Sequence, residues 1–278
     1  MGLLTRSRAV FCRRLVRRAL RNPLSLVVSI GRRTTVQLDN QGIPITNYGG
    51  LLGKQRNPVN ICQRALKYEA DYRDGNGDAR RLFLNCAGWL VDNASDYGSH
   101  TIWQYEFPWK SYGMTPPWRS AMAQGLGVQV MGRALTLTGD DAFLTAGRTA
   151  LASFFASVEE RGVTRKSEEG WWYEEYAHEC GLVSRVLNGM IFAVLGIHEW
   201  HQRSGASDAL FLVERGLAAL RAHLADYDEG SWTYYDALRN LASLNYHRIH
   251  VEQLGELYDM SGDSYFRELQ AKWARYSL

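Results

Sequence analysis

Thr138-Gly139-Asp140-Asp141-Ala142-Phe143 is the stretch whose reading decides the fold. The glycine can end a helix in the left-handed conformation. The aspartate after it can accept N–H bonds at the start of another helix. The stretch therefore reads as the corner of a helical hairpin. Similar corners recur at Gly75-Asn76-Gly77-Asp78, Ser204-Gly205-Ala206-Ser207-Asp208 and Ser261-Gly262-Asp263. Behind each comes a run with apolar residues at three- and four-residue steps. Phe143, Ala146, Ala150 and Phe154 follow one corner, and Phe211, Gly216, Leu220 and Leu224 follow another. That spacing is one buried helical face.

In front of each corner lies a helix of a different kind, expected over residues 58–73, 118–137, 184–203 and 246–260. Polar residues interrupt its apolar face: Asn60 and Gln63, Ser120 and Gln124, Asn188, then His247, His250 and Gln253. Small residues (Ala121, Ala123, Gly125, Gly127, Gly132, Gly189, Gly196) let such helices pack closely. The expected fold is all-α: an α/α-toroid, or incomplete α/α-barrel, of about four helical hairpins. First helices line the middle and second helices form the outer ring, with short β or irregular insertions on one rim.

Those insertions are the long connections at 94–117, 159–183 and 226–245, which all run in the same sense and so should emerge together. A rigid ring with loops at one end is where a site is expected. Segments 103–112 and 229–236 are candidates for short strands. The second connection holds Trp171-Trp172-Tyr173-Glu174-Glu175-Tyr176, six aromatic or acidic residues with no aliphatic member. Such a run makes a poor core helix and a poor core strand. Aromatic faces beside carboxylates suit a sugar site with acid/base chemistry.

The formal charge of +3 hides an asymmetry. Residues 1–33 hold nine arginines and no acid, leaving 23 basic against 29 acidic residues in the rest. A basic arm on an acidic body gives no basic nucleic-acid-binding surface. The arm, residues 1–40, reads as a cationic amphipathic helix suited to an anionic membrane surface, or as a solubilising tail. Its apolar run, residues 24–30, is too short to span a bilayer, and no small-residue cleavage site follows it. The expected location is cytoplasmic, with peripheral contact at the inner membrane surface through residues 1–33. Residues 41–278 form the toroid domain. The four cysteines (12, 62, 86, 180) show no metal-ligand spacing, and three sit in apolar helical contexts where buried free thiols are expected.

The motifs resemble the C-terminal domain of D-glucuronyl C5-epimerase. The resemblance runs through Trp118-Arg-Ser-Ala-Met-Ala-Gln-Gly125, Arg133-Ala134, Thr138-Gly-Asp140, Trp172-Tyr-Glu-Glu-Tyr176, Val186-Leu-Asn-Gly-Met190, Tyr235-Asp236, and Asn240-Leu-Ala-Ser-Leu-Asn-Tyr-His247 with His250 and Gln253-Leu254. They occur in family order over residues 118–273; residues 42–117 fit more loosely, through Asn57-Pro58-Val59 and Ala87-Gly-Trp-Leu90. The resemblance implies an α/α-barrel that turns D-glucuronate into L-iduronate within an acidic polysaccharide or a lipid-linked glycan, without an organic cofactor. It also makes a homodimer plausible. Animal members carry β-rich N-terminal domains that contribute to the active site, and this chain reads as a short form lacking them.

Inverting C5 of a uronate means removing a proton α to a carboxylate and returning it from the other face. Carriers are needed on both faces, together with a clamp for the enediolate charge. The resemblance maps the acid/base set onto Glu175, Tyr176, Tyr235 and Tyr246, with Tyr235 and Tyr246 expected to face each other across the sugar. Arg239 is the expected carboxylate clamp, with Lys110 and Arg119 as alternatives. Trp109 and Trp172 are stacking candidates, and Trp171 and Glu174 support. Gln124 and Asn188 belong to the expected site surroundings, more as ordering groups for the inner helices than as substrate contacts. His247 and His250 lie one helical turn apart with no third ligand at a recognisable spacing, which reads as polar support rather than metal. Other readings remain: an α/α-toroid lyase, a glycosidase using Glu174 or Glu175 with Asp236, or a non-catalytic polyuronate binder.

Overall fold

The computed structural model describes residues 34–276. Among the described residues, eight α-helices form four consecutive hairpins. They are α1 (Pro58–Arg73) with α2 (Gly77–Asp92), α3 (Ala121–Thr138) with α4 (Asp141–Leu151), α5 (Leu187–Ser204) with α6 (Ser207–His223), and α7 (Leu244–Ser261) with α8 (Ser264–Trp273). Every boundary expected for the first helices falls within three residues of the observed one. The corners work as their residues dictate. Gly139, Gly205 and Gly262 close α3, α5 and α7 in the left-handed conformation. Asp140 and Asp263 then accept the N–H groups of Ala142 and Tyr265 at the next helix.

The first helix of each hairpin packs on the next, α1 on α3, α3 on α5 and α5 on α7, while α2, α4, α6 and α8 lie outside. The two ends of this series, α1 and α7, have no comparable interface, so among the described residues the inner ring is not closed by helix packing. The tightest approach is α3 on α5. A Cβ at Gly125 would lie 2.5 Å from Ala193 Cα, and one at Gly196 would lie 2.2 Å from the Gly125 carbonyl oxygen. Real Cβ atoms do not approach that closely, so glycine at both positions sets the helix spacing. The core between inner and outer helices is filled by Ile61, Phe83, Met131, Met190, Trp200, Leu254 and Phe266, all at most 1% exposed.

Among the described residues, three small antiparallel sheets decorate the helices. The first is β1 (Thr35–Leu38), β2 (Pro44–Asn47) and β3 (Lys54–Gln55), with Thr35 opposite Asn47 and Thr46 opposite Gln55. It is tied to the helices by Arg56, whose guanidinium bonds the Ile43 and Pro44 carbonyls and Asp39, and by Tyr68, whose hydroxyl bonds the Gly42 carbonyl. β1 thus lies on the arm side of the boundary expected at residue 40, yet pairs with the body. The amphipathic helix expected in the arm lies outside the described residues.

The other two sheets are β4 (Ser95–Asp96) with β5 (Thr101–Ile102), and β6 (Thr164–Ser167) with β7 (Gly170–Tyr173). The segments expected to hold strands at 103–112 and 229–236 contain isolated pairings instead, such as Tyr105 with Trp118 and Tyr234 with Leu241. Conversely, the aromatic-acidic run judged a poor core strand begins as β7. Gly216 on α6 leaves room for the Tyr173 ring, whose hydroxyl donates to the Leu212 carbonyl at 2.6 Å. Aromatic side chains are buried here because the facing helix is notched, not because the strand alternates. Cys62 and Cys86 are buried free thiols. No helix among the described residues is long and apolar enough to cross a membrane.

Candidate functional site

The four inner helices run in the same direction. Their first turns meet at one end of a central channel and their last turns at the other, and each end holds a cavity. At the first end the cavity is about 320 Å³. Asn57, Asn60 and Gln63 line it from α1 and its cap, Ser120 from the cap of α3, Asn188 from α5, and Asn245 and Tyr246 from α7. Loops complete the wall with Tyr48, Tyr105, Trp109, Trp118, Glu175 and Tyr176.

Glu175 is the one charged residue among the described residues that line this cavity. It follows β7 and is 9% exposed, and its Oε2 is buried without a hydrogen-bond partner. Gly189 makes the seat, since a Cβ there would fall 2.2 Å from that oxygen. Burial pushes the Glu175 carboxyl up to about 7, with Glu174 beside it adding to the rise and the Tyr176 hydroxyl opposing it. Glu174 is fully buried and faces away. Arg165 Nε and the Arg185 backbone N–H donate to its two oxygens, both at 3.1 Å.

Beside Glu175 the tyrosines form one cluster. The Tyr112 and Tyr176 rings lie 4.6 Å apart, as do those of Tyr235 and Tyr246. Burial, and then the neighbouring Glu175 charge, push the Tyr176, Tyr235 and Tyr246 hydroxyls above the usual phenol range. The expectation that Tyr235 and Tyr246 face each other across a sugar is therefore corrected. Rings in contact leave no room for one, and Tyr246 covers Tyr235 from the cavity side. Asp236 is 1% exposed and fully used, accepting from Tyr112 Oη at 2.6 Å, Asn240 Nδ2 at 2.7 Å and the Leu238 and Asn240 N–H groups.

Other expected substrate contacts stand behind the wall. Arg119 is 0% exposed; its guanidinium bonds the Gly162 and Val158 carbonyls and pairs with Glu179, pinning the loop before β6. Trp172 is stacked on Tyr227 under the Arg185 guanidinium. Gln124 is buried and bonds Trp103 N–H, the Thr101 and Ala150 carbonyls and Ser153 Oγ, an ordering role. His247 and His250 share Thr233 Oγ1 at 3.0 and 3.3 Å, and burial holds both below the usual histidine range. Among the described residues no group of three His, Cys, Asp or Glu is gathered to hold a metal. Lys110 is exposed beside the rim, and Arg239 is exposed with its guanidinium over the Tyr234 ring. Neither lines the cavity. Trp109 and Asn188 do. Asn188 is 3% exposed and its Oδ1 has no partner.

No lysine or arginine is therefore among the described residues lining the cavity. The first turns of four helices converge there, and their dipoles place the positive end of each toward the cavity beside its neutral amides. The arrangement can hold an anion such as a carboxylate against a carboxyl base and phenols. Among the lining residues that the sequence does not mark as site residues are Tyr48 and Asn57, which act together. Asn57 Nδ2 donates to Tyr48 Oη at 2.6 Å. The Asn57-Pro58 pair carried a readable signal as a helix cap followed by a first-turn proline; Tyr48 carried none.

The opposite end differs. Its cavity, about 670 Å³, is lined by the last turns, including Arg73, Arg133, Glu199 and Arg203. Here the charges neutralise each other in a chain: Arg73 with Glu69, Glu69 with Arg133, Arg133 with Glu199 and Glu199 with Arg203, at 2.7–2.9 Å.

Known proteins bear on this site. An uncharacterized protein of Methanocaldococcus jannaschii is 29% identical over 259 residues, covering 85% of this chain and 83% of the relative. A D-glucuronyl C5-epimerase of Caenorhabditis elegans is 30% identical over 215 residues, covering 70% of this chain and 35% of the relative, so the chain spans about a third of that enzyme. Among solved structures, an alpha-mannanase of Bacteroides thetaiotaomicron superposes with a TM-score of 0.56 at 12% identity, over 86% of this chain and 63% of its own. A sugar epimerase from a ruminal bacterium gives 0.51 at 13%, over 78% of this chain and 58% of its own. At those identities the likeness is one of fold, an α/α-toroid shared by epimerases and glycosidases. The model of the D-glucuronyl C5-epimerase C-terminus matches residues 96–275, taking in every helix from α3 to α8 together with Glu175, Tyr176, Tyr235 and Tyr246, and the chain belongs to that family.

Proposed function

We propose that this protein is a carbohydrate epimerase that inverts C5 of a hexuronate unit, turning D-glucuronate into L-iduronate within an acidic polysaccharide or its lipid-linked precursor. The observation that carries the reading is Glu175. It is a buried carboxyl poised near neutrality, with one oxygen unpaired, on the wall of a cavity where four helix N-termini meet. A base of that acidity is suited to removing a weakly acidic C–H proton near pH 7. The charge that then spreads onto the sugar carboxylate meets the positive ends of the helix dipoles, which take the part an arginine would otherwise play. A glycosidase needs a second free carboxylate; Asp236, the nearest candidate, has its oxygens committed to four donors.

The test is incubation with heparosan and other polyuronates in heavy water, followed by proton NMR. Loss of the H5 signal with appearance of iduronate is the expected result. Absorbance near 230 nm from an unsaturated uronate would show a lyase instead, new reducing ends a glycosidase, and binding without exchange a non-catalytic polyuronate-binding protein.

A further inference from the structure

Inversion at C5 needs a proton carrier on each face of the sugar, yet Glu175, Tyr176, Tyr235 and Tyr246 are gathered in one cluster between α5 and α7. Resting on the epimerase reading above, we propose that Tyr48 is the second catalytic residue, delivering and removing the C5 proton from the face opposite Glu175. Tyr48 lies in the turn between β2 and β3, beyond the matched family region, and lines the cavity from the side of the first hairpin. Its ring is held by Phe107 at 5.1 Å and, edge-on, by Trp109 at 5.9 Å.

The hydrogen bonds fix where its proton points. Asn57 Oδ1 accepts from the Asn60 N–H and from Tyr105 Oη, both at 3.3 Å, so the amide cannot be turned round without losing both. Its Nδ2 must then face Tyr48, and Tyr48 Oη is an acceptor in that bond. No acceptor for the Tyr48 proton occurs among the described residues, which leaves it directed at the cavity. Burial raises the Tyr48 phenol above its usual range, against the Asn57 bond, so it rests protonated with its free O–H placed to meet a carbanion. The Asn57 N–H then stays in place to stabilise the phenolate.

In one direction of the reaction the Glu175 carboxylate takes the C5 proton, and the C–H electron pair moves into the sugar carboxylate as the enediolate. Tyr48 then gives its proton to the opposite face of C5 and becomes a phenolate. Glu175 releases its proton to solvent and Tyr48 takes one up, or the next turnover runs in reverse, and nothing else is consumed. Each carrier sees only one epimer's C5–H.

The test is Tyr48→Phe in the full chain, which keeps the ring packing. Deuterium uptake at C5 is read separately for glucuronate and iduronate units in heparosan and in a C5-epimerised heparosan. The expected result is that one epimer exchanges within about five-fold of wild type, while the other loses at least about 100-fold and net inversion stops, in keeping with the usual worth of a general acid or base. Parallel loss for both epimers, or no change in either, would overturn the assignment, and parallel loss with a lowered melting temperature would mark Tyr48 as a packing residue. If the wild type exchanges neither epimer, the epimerase reading itself fails and this proposal falls with it. That outcome is distinct from a wild type that exchanges both while the variant behaves like it.

Discussion

The two ends of the central channel are built from the same four helices and treat polar groups in opposite ways. Where the last turns meet, every arginine faces a carboxylate, in the linear chain Arg73–Glu69–Arg133–Glu199–Arg203. Where the first turns meet, the groups are left wanting: Glu175 Oε2 and Asn188 Oδ1 are buried without partners and the Tyr48 proton has no acceptor. Unmet hydrogen-bonding capacity is costly, and a protein keeps it where a ligand will meet it. The larger cavity is the one whose arginines are all paired, with Glu256 the lining carboxylate outside that chain. Unpaired chemistry, rather than volume, separates the candidate site from the supporting end.

The comparison breaks hardest at Glu175. Glu175→Gln should lower the rate of C5 exchange by roughly 10²–10⁴-fold, the worth of a general base. It should also change stability in a direction opposite to intuition. The folded carboxyl is raised from 4.5 to about 7, so its contribution is full below about pH 4.5 and is lost as pH rises through about 7. Wild type should therefore lose on the order of 2–3 kcal/mol of stability between those limits from this group, and the glutamine variant should be spared that loss. Thermal melts at pH 5 and pH 8 check it, and equal pH slopes for the two proteins would contradict the buried-base assignment. Glu174, raised to about 7 in the same way, contributes in the same window to both proteins.

At the other end the expected signature is reversed. Arg133→Met removes the centre of the ion-pair chain and should cost about 2 kcal/mol of stability, with C5 exchange unchanged below the melting transition. Glu199, held near 2 by Arg133 with Gln129 and Arg203 against its burial, adds stability above about pH 4.5 that fades as pH falls through 2. The variant should show less of that acid-side loss. A fall in exchange rate at temperatures where the variant stays folded would mean that the two ends communicate.

The smallest expected effect sharpens the boundary of the site. Arg239 has a backbone φ of +64°, a conformation that favours glycine, and its guanidinium rests on Tyr234. Arg239→Gly should raise stability by about 0.5–1 kcal/mol through relief of that strain and leave the exchange rate within about two-fold. A ten-fold drop would return Arg239 to the role of carboxylate clamp.

What could be read in the sequence was what the chain encodes locally. Gly139 and Asp140 end one helix and start the next through contacts within a few residues, so the hairpins were legible before any tertiary fact. Gly125 and Gly196 announced a close helix approach by their size. Glu175 and Tyr176 stood out because an acidic-aromatic run has no apolar face to hide. Trp172 belonged to the same run and was misassigned as a sugar platform, because nothing local says that β7 turns one aromatic toward Tyr227 and the next acid toward the channel. Tyr48 was invisible for the complementary reason. Its position depends on the β2–β3 turn being carried over the start of α1 by Arg56 and Tyr68, contacts that span 12–26 residues. Arg239 has the residue type of a clamp, but its left-handed backbone carries the guanidinium onto Tyr234.

The open ring has a bearing on how a long substrate is handled. Because α1 and α7 do not close on each other, the inner ring of the described residues is a clamp with a gap rather than a sleeve. A polymer can be laid into a clamp at an interior unit and lifted out again, with no need to feed a free end through. If the proposed epimerase activity holds, modification would then fall at scattered positions along the polymer, in no fixed order from either terminus.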